Sequence, residues 1–266
     1  MNEEALMKGF DEDVLLDARG LTKTFGGLAA VKEVSFNVDA GLIKAIIGPN
    51  GAGKTTLYDL LTGIYQPDEG SVSFRGKEII GLSAHKIAVL GIARTFQTIR
   101  LFTNMTVEEN IKVALHARTR AGMLSSSLRF PSAGREEQWM AHEASRYLDM
   151  VGLGMQAKNL AGSLPFGQQR LLEVARALAT DPRLLLLDEP ASGLNAYETT
   201  ELGEIIYRIR DMGVTVILVE HDMGLVMRIS DEVLVLDYGE IIAVGTPAEI
   251  RDDPKVIEAY LGSEMD

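Results

Sequence analysis

Residues Gly48-Pro-Asn-Gly-Ala-Gly-Lys-Thr55 constrain this chain more than any other stretch. They follow the apolar run Leu42–Ile47 and precede a segment in which Leu57, Leu60, Leu61 and Ile64 recur at helical spacing. A strand that turns through glycines into a helix N-terminus aims several backbone N–H groups at one point. Lys54 adds a full positive charge there and Thr55 offers a hydroxyl to a Mg²⁺ ion, so the stretch reads as a nucleoside-triphosphate site.

The remaining pattern supplies a sheet to carry that loop. Val14–Ala18 and Val31–Val38, separated by glycine turns and joined by Ser71–Phe74, read as antiparallel strands. Leu184–Leu187 and Val214–Val219 are largely apolar runs, as expected of parallel strands covered on both faces. Helix-patterned segments, Gln169–Ala179 and Glu201–Asp211, precede them, which gives an α/β core. Glu232–Leu236 and Ile241–Val244 flank Asp237-Tyr-Gly-Glu240 and read as a hairpin. Between the two halves the pattern turns helical. Thr106-Val-Glu-Glu109 is a capping box, a second helix is expected over Glu136–Met150, and Ser125–Ser127 with Pro131–Gly134 marks a loop between them. Thr246-Pro-Ala-Glu249 is a second capping box with Pro247 at the first helical position.

The expected organisation is an acidic tail over 1–12 and one domain over 13–262. Within that domain, 13–97 and 166–262 form the core and 98–165 a helical insert. The chain has 266 residues and no cysteine, so disulfides and thiolate metal sites are excluded. A net charge of −12 argues against a nucleic-acid-coating role, which needs clustered Lys and Arg. No apolar run is long enough to cross a bilayer, and the acidic start Met1-Asn-Glu-Glu lacks a signal-peptide pattern, which points to the cytosol. The eleven methionines are scattered and read as fillers of core gaps.

Leu184-Leu-Leu-Leu-Asp-Glu-Pro190 ends a buried strand in two carboxylates, at the sheet edge where ligands of α/β folds bind. Asp188 is the expected holder of Mg²⁺, through its water shell, and Glu189 the group that polarises the water attacking the γ-phosphate.

The phosphate loop, Gln97, Leu164-Pro-Phe-Gly-Gln168, Asp188-Glu189 and His221 stand in the order and spacing of an ABC-type ATPase subunit, a resemblance running from Val14 to Gly262. It implies a P-loop NTPase fold: a RecA-like mixed sheet, an antiparallel β subdomain and an inserted helical subdomain. It implies ATP held by Phe25, Val31, Gly48, Pro49, Asn50, Gly51, Ala52, Gly53, Lys54, Thr55 and Thr56, with Phe25 stacked on adenine. The other reading of Phe25 is a strand-end aromatic packed in the core. Hydrolysis would fall to Glu189, His221 and Gln97, with Mg²⁺ held by Thr55, Gln97 and Asp188. Leu164, Phe166, Gly167, Gln168 and Asn195 match positions that face a second ATPase subunit, where the nucleotide of one subunit is completed by the other. The match departs from the family's usual Leu-Ser-Gly-Gly-Gln. Pro165 replaces the serine that would contact the γ-phosphate and Phe166 replaces a glycine, a lost donor worth about 1–3 kcal/mol if unreplaced.

Arg94-Thr-Phe-Gln97 and its continuation to Asn110, Gly167-Gln-Gln-Arg170, Gly193-Leu-Asn195, Glu220-His-Asp-Met223 and Pro254 to Gly262 resemble the LivG-type ATPases of branched-chain amino-acid importers. That implies a peripheral subunit on the cytoplasmic face of the inner membrane. It would work with a related ATPase or a second copy of itself, two permease subunits and an extracytoplasmic binding protein. An ATPase for another cargo (a polar amino acid, lipopolysaccharide export) stays open, because absent subunits choose the cargo; a soluble non-transport ATPase usually carries two cassettes or a coiled-coil insert. Residues 111–135 carry Lys112, Arg118, Arg120, Arg129 and Arg135 without an acidic residue. The basic loop 117–135 reads either as a solvated charge run or as a surface for the permease or anionic lipid head groups.

Overall fold

The computed structural model describes residues 13–118 and 131–262. The chain opens with β1 (Val14–Phe25), β2 (Leu28–Asp39) and β3 (Ile43–Ile47), then α1 (Lys54–Leu61), β4 (Glu69–Phe74), β5 (Lys77–Glu78), α2 (Ala84–Leu90) and β6 (Ile92–Arg94). Helices α3 (Val107–Leu115), α4 (Pro131–Met150) and α5 (Phe166–Leu178) follow. The last third holds β7 (Leu184–Asp188), α6 (Ala196–Asp211), β8 (Thr215–Val219), α7 (Met223–Ile229), β9 (Glu232–Asp237), β10 (Glu240–Gly245), α8 (Pro247–Arg251) and α9 (Pro254–Gly262).

Among the described residues the strands form two sheets. One is antiparallel, in the order β2-β1-β4-β5. Its first hairpin turns at Gly26-Gly27, both at positive φ as a two-residue turn requires. The strands run further than their apolar pieces, because polar residues on the outer face continue the ladder to Phe25↔Leu28. The other sheet is mixed, in the order β10-β9-β3-β8-β7-β6, parallel except for β10. All five residues of β3, β7 and β8 are buried, which explains their largely apolar sequences; the exceptions are Lys44, Asp188 and Thr215. One core lies between the two sheets, from Leu16, Val34 and Phe74 to Ile46, Leu57 and Leu186. A second lies behind the mixed sheet, where α5 and α6 pack and where α3 and α4 join through Ile111, Leu115 and Tyr147.

Several expectations need correction. Helix α1 ends at Leu61, so Ile64 lies beyond it and is 46% exposed. Pro131–Gly134 is no loop: α4 begins at Pro131, a residue suited to a first helical turn because it has no N–H to leave unpaired. The methionines fill the core only in part: Met150, Met223 and Met227 are partly buried and pack against it. Among the described residues only Met140 is buried, while Met155 is 98% exposed. The 1–12 tail and Ser125–Ser127, with Arg120 and Arg129, fall outside the described residues. Both capping boxes form, Thr106 with Glu109 and Thr246 with Glu249. No helix among the described residues is long and apolar enough to cross a membrane.

Candidate active site

Strand β3 delivers the chain into the glycine loop and α1 takes it out at Lys54. The loop is closed down by main chain on both sides. A Cβ at Gly48 (φ 151°) would stand 2.0 Å from the Leu236 carbonyl oxygen, and one at Gly53 (φ 100°) 2.2 Å from that of Ala30. Only glycine fits either position, which is what holds the loop's N–H groups in one curve. The β9–β10 turn locks it further, since the Gly239 N–H donates to the Ala52 carbonyl. The Lys54 ammonium donates to the carbonyls of Gly48 (2.7 Å) and Pro49 (2.9 Å), at the mouth of the loop. Burial lowers its pKa, and the nearby Glu189 and Asp188 carboxylates oppose that shift. Pro49 and Thr56 are half-buried, while Asn50, Gly51 and Thr55 are exposed at the start of α1.

The end of β7 lies beside this loop. Glu189 sits at φ 48°, a left-handed conformation that costs a non-glycine residue about 1–3 kcal/mol and marks functional sites. Its carboxylate is held from two sides. The Gln97 Nε2 donates to Oε2 at 2.8 Å, and His221 Nε2 stands 3.0 Å from Oε1. Gln97 arrives from the segment after β6, and His221 from the end of β8, so three loops converge on one carboxylate. Asp188 is buried and paired with Arg94 at 2.8 Å; the same guanidinium meets Asp59 on α1 at 2.5 Å.

Sequence reasoning missed Arg94 as a site residue, and missed that Glu220 is a buried brace. Glu220 accepts from the N–H groups of Ala191, His221 and Asp222, tying the loop after β7 to the loop after β8. Burial raises its pKa, against those three bonds. The signals were thin: Arg94 ends a three-residue strand, and Glu220 is one more acid beside His221.

Phe25 is 42% exposed and meets Tyr65 edge-on at 5.3 Å, so it is not a core aromatic. Val31 is a correction. It is fully buried on the core face of β2 and has no surface to offer a ligand, whereas Leu28, at the start of the same strand, is 76% exposed beside the loop. Leu164 to Gln168 and Asn195 form a separate cluster. Among the described residues no hydrogen bond or ion pair joins them to the glycine loop. Leu164 and Gly167 are buried, Gln168 is half-buried, and the exposed Phe166 ring packs over Gly193. Asn195 caps α6, accepting from the N–H groups of Tyr197 and Glu198. The basic run is partly spent inside the molecule. Lys112 pairs with Glu108 at 2.5 Å, and Arg118 lies 3.5 Å from Asp181 and over the Trp139 ring.

The donor set suits the groups the sequence implies. The N–H cradle and Lys54 match a polyphosphate. Asp188, Thr55 and Gln97 supply few oxygen ligands, as Mg²⁺ needs when it keeps its waters and phosphate oxygens. A strand-to-helix glycine loop with its lysine, two carboxylates at the end of a parallel strand one removed in the same sheet, and a glutamine and histidine closing on the second carboxylate define a phosphate-loop nucleoside triphosphatase.

Comparison with known proteins narrows the class. The family model for the ABC transporter matches residues 31–192, and one for the branched-chain amino acid ATP-binding cassette transporter matches 240–266. The chain is 48% identical over 249 residues to the high-affinity branched-chain amino acid transport ATP-binding protein BraF of Pseudomonas aeruginosa, covering 93% of this chain and 98% of BraF. It is 46% identical to LivG of Escherichia coli, over the same shares. A crystal structure of a nucleotide-free ATP-binding cassette from an ABC transporter superposes with a TM-score of 0.81 at 32% identity, covering 93% of this chain and 98% of the other. Another cassette, in its ADP conformation, gives 0.80 at 31% identity, over 94% and 99%. This chain belongs to the ABC transporter family, as an ATP-binding, ATP-hydrolysing cassette.

Proposed function

We propose that this cassette is the motor subunit of an importer for branched-chain amino acids. The observation that carries the catalytic part is the Glu189 carboxylate, held at 2.8 Å by Gln97 and at 3.0 Å by His221 beside a buried lysine. The names of BraF and LivG support the cargo.

In this reading the N–H groups from Gly48 to Gly53, with Lys54, Thr55 and Thr56, grip the phosphates, and Phe25 with Tyr65 forms the ledge for adenine. Glu189 takes a proton from the attacking water, which sits where the carboxylate, Gln97 and His221 converge. His221 reports the γ-phosphate, and Gln97 links the site to residues 98–165. Asp188, Thr55 and Gln97 would hold Mg²⁺, which when bound would balance the charge of the phosphate oxygens. Leu164, Phe166, Gly167, Gln168 and Asn195 face a second cassette, a paralogue or a copy. Two permease subunits and an extracytoplasmic binding protein complete the assembly, on the cytoplasmic face of the inner membrane. A largely apolar cavity of about 700 Å³ beside Gln97, between α2, α3 and α5, suits contact with such a subunit.

Proteoliposomes carrying this chain with its permease subunits, partner cassette and binding protein test the cargo. Expected is ATP-dependent uptake of leucine, isoleucine and valine that Lys54→Ala abolishes. Lys54-dependent uptake of polar amino acids instead would overturn it.

A further inference from the structure

Arg170 and Glu173 lie one turn apart on α5, both almost wholly buried, with their side chains 3.0 Å from each other. Taking a guanidinium and a carboxylate out of water costs more than their attraction returns unless further hydrogen bonds are satisfied. Here those bonds go to one place. Arg170 Nη1 donates to the Phe96 carbonyl at 2.9 Å, and Nη2 to the Gln97 carbonyl at 2.8 Å. Glu173 Oε1 accepts from the Arg100 N–H at 3.2 Å. Residues 96–100 belong to no helix or strand, and Gln97 and Thr98 are exposed. The directional donors and acceptor on α5 therefore supply backbone partners that a ladder would otherwise give. The Arg170 guanidinium also lies over the Phe166 ring, at 5.8 Å, one turn back toward the helix start.

We infer that Arg170 and Glu173 are positioning residues, which clamp the Gln97 backbone to α5 so that the Gln97 amide meets Glu189. Hydrolytic competence then follows the position of α5 through this clamp. A leucine or methionine pair would fill the same volume, but could fix neither carbonyl. The inference rests on the catalytic reading of Gln97, and the test separates the two.

The full chain, assembled with its membrane partners, is assayed for ATP turnover at saturating MgATP. The variants are R170M/E173M, Gln97→Ala and the three changes together. Replacing both charges leaves no lone buried ion but frees the Phe96 and Gln97 carbonyls and the Arg100 N–H, so a small fall in melting temperature is expected with KM for ATP near wild type. The kcat is expected to fall about ten- to a hundredfold, the scale of a misplacement near 1 Å. Added to Gln97→Ala, the pair change is expected to cost nothing further, since the clamp has nothing left to position. A wild-type kcat in R170M/E173M, or losses that multiply in the triple variant, overturns the clamp. A wild-type rate in Gln97→Ala overturns the role of Gln97 instead. Should R170M/E173M fail to fold, Arg170→Lys takes its place. An ammonium keeps the charge but loses the fork that reaches two carbonyls, so kcat is expected to fall here too, and an unchanged rate sinks the inference.

Discussion

At the scale of single residues, the site is organised around one carboxylate and one guanidinium. Glu189 is held in a strained backbone conformation by the Glu220 brace and by bonds from Gln97 and His221. Glu189→Gln keeps the shape and the hydrogen-bonding reach but cannot take a proton. It is expected to bind ATP with near wild-type affinity while phosphate release slows about 10²–10⁴-fold, in a steady-state assay paired with nucleotide titration. Phosphate release at the wild-type rate would refute the assignment. Arg94 makes a different prediction. Its guanidinium is almost buried between Asp59 and Asp188, and Arg94→Met leaves both carboxylates without their partner. Breaking such a pair costs about 3–5 kcal/mol, to be read as a lower urea midpoint at unchanged slope.

At the scale of elements, legibility followed how local each cause was. Capping boxes are made by residues three apart, and both appear where the letters put them. Strands β3, β7 and β8 announce themselves because burial on both faces makes them largely apolar, with Lys44, Asp188 and Thr215 the polar exceptions. Strand β6 does not, since three residues carry no period and only pairing with β7 makes them a strand. The start of α4 failed because Pro131 and Gly134 signal a loop by habit, yet proline also suits a first helical turn. At the site, Asp188, Glu189 and Lys54 were readable from the strand and loop that carry them. Gln97 and His221 needed the resemblance, and Arg94, Arg170 and Glu173 act across long sequence separations that no local pattern marks. The capping box of α3 gives a titratable test. The Glu109 carboxylate accepts from the Thr106 N–H and hydroxyl, which holds it below its ordinary value of 4.5. A depressed carboxyl contributes stability that is present above its unfolded pKa and lost as pH falls through the folded one. Gln in its place keeps an acceptor but no charge. Glu109→Gln is therefore expected to melt below wild type at pH 7, with the gap closing as acid protonates the carboxyl. A gap that stays constant down to the onset of acid unfolding excludes the charge as its source.

At the scale of the whole molecule, the proposed assembly sets the glycine loop of one cassette against the Leu164 to Gln168 cluster of another. The glycine loop with Glu189 and the cluster of Leu164 to Gln168 with Asn195 share no hydrogen bond or ion pair among the described residues, and Phe166 and Asn195 are exposed. Two half-sites with exposed residues and no bond between them are what a second cassette would complete. The net charge of −12 opposes association of two copies, a repulsion that salt screens over about 10 Å at 0.1 M. The nucleotide must then tip the balance: moving an equilibrium from 1:99 to 99:1 needs about 5.5 kcal/mol of differential binding. The γ-phosphate is the part of the ligand that hydrolysis removes, so a chain that binds without cleaving should stay associated. Light scattering of the Glu189→Gln chain with its partner cassette is expected to show the paired mass with MgATP and single cassettes with ADP. The paired fraction should rise with salt where the partner is a second copy, because the two surfaces then carry the same sign. Wild type under the same conditions should fall back to single cassettes as ATP is consumed. Single cassettes throughout, in the variant with MgATP, would leave Phe166 and Asn195 without a nucleotide to meet and would remove the reason for placing them opposite the glycine loop of another subunit.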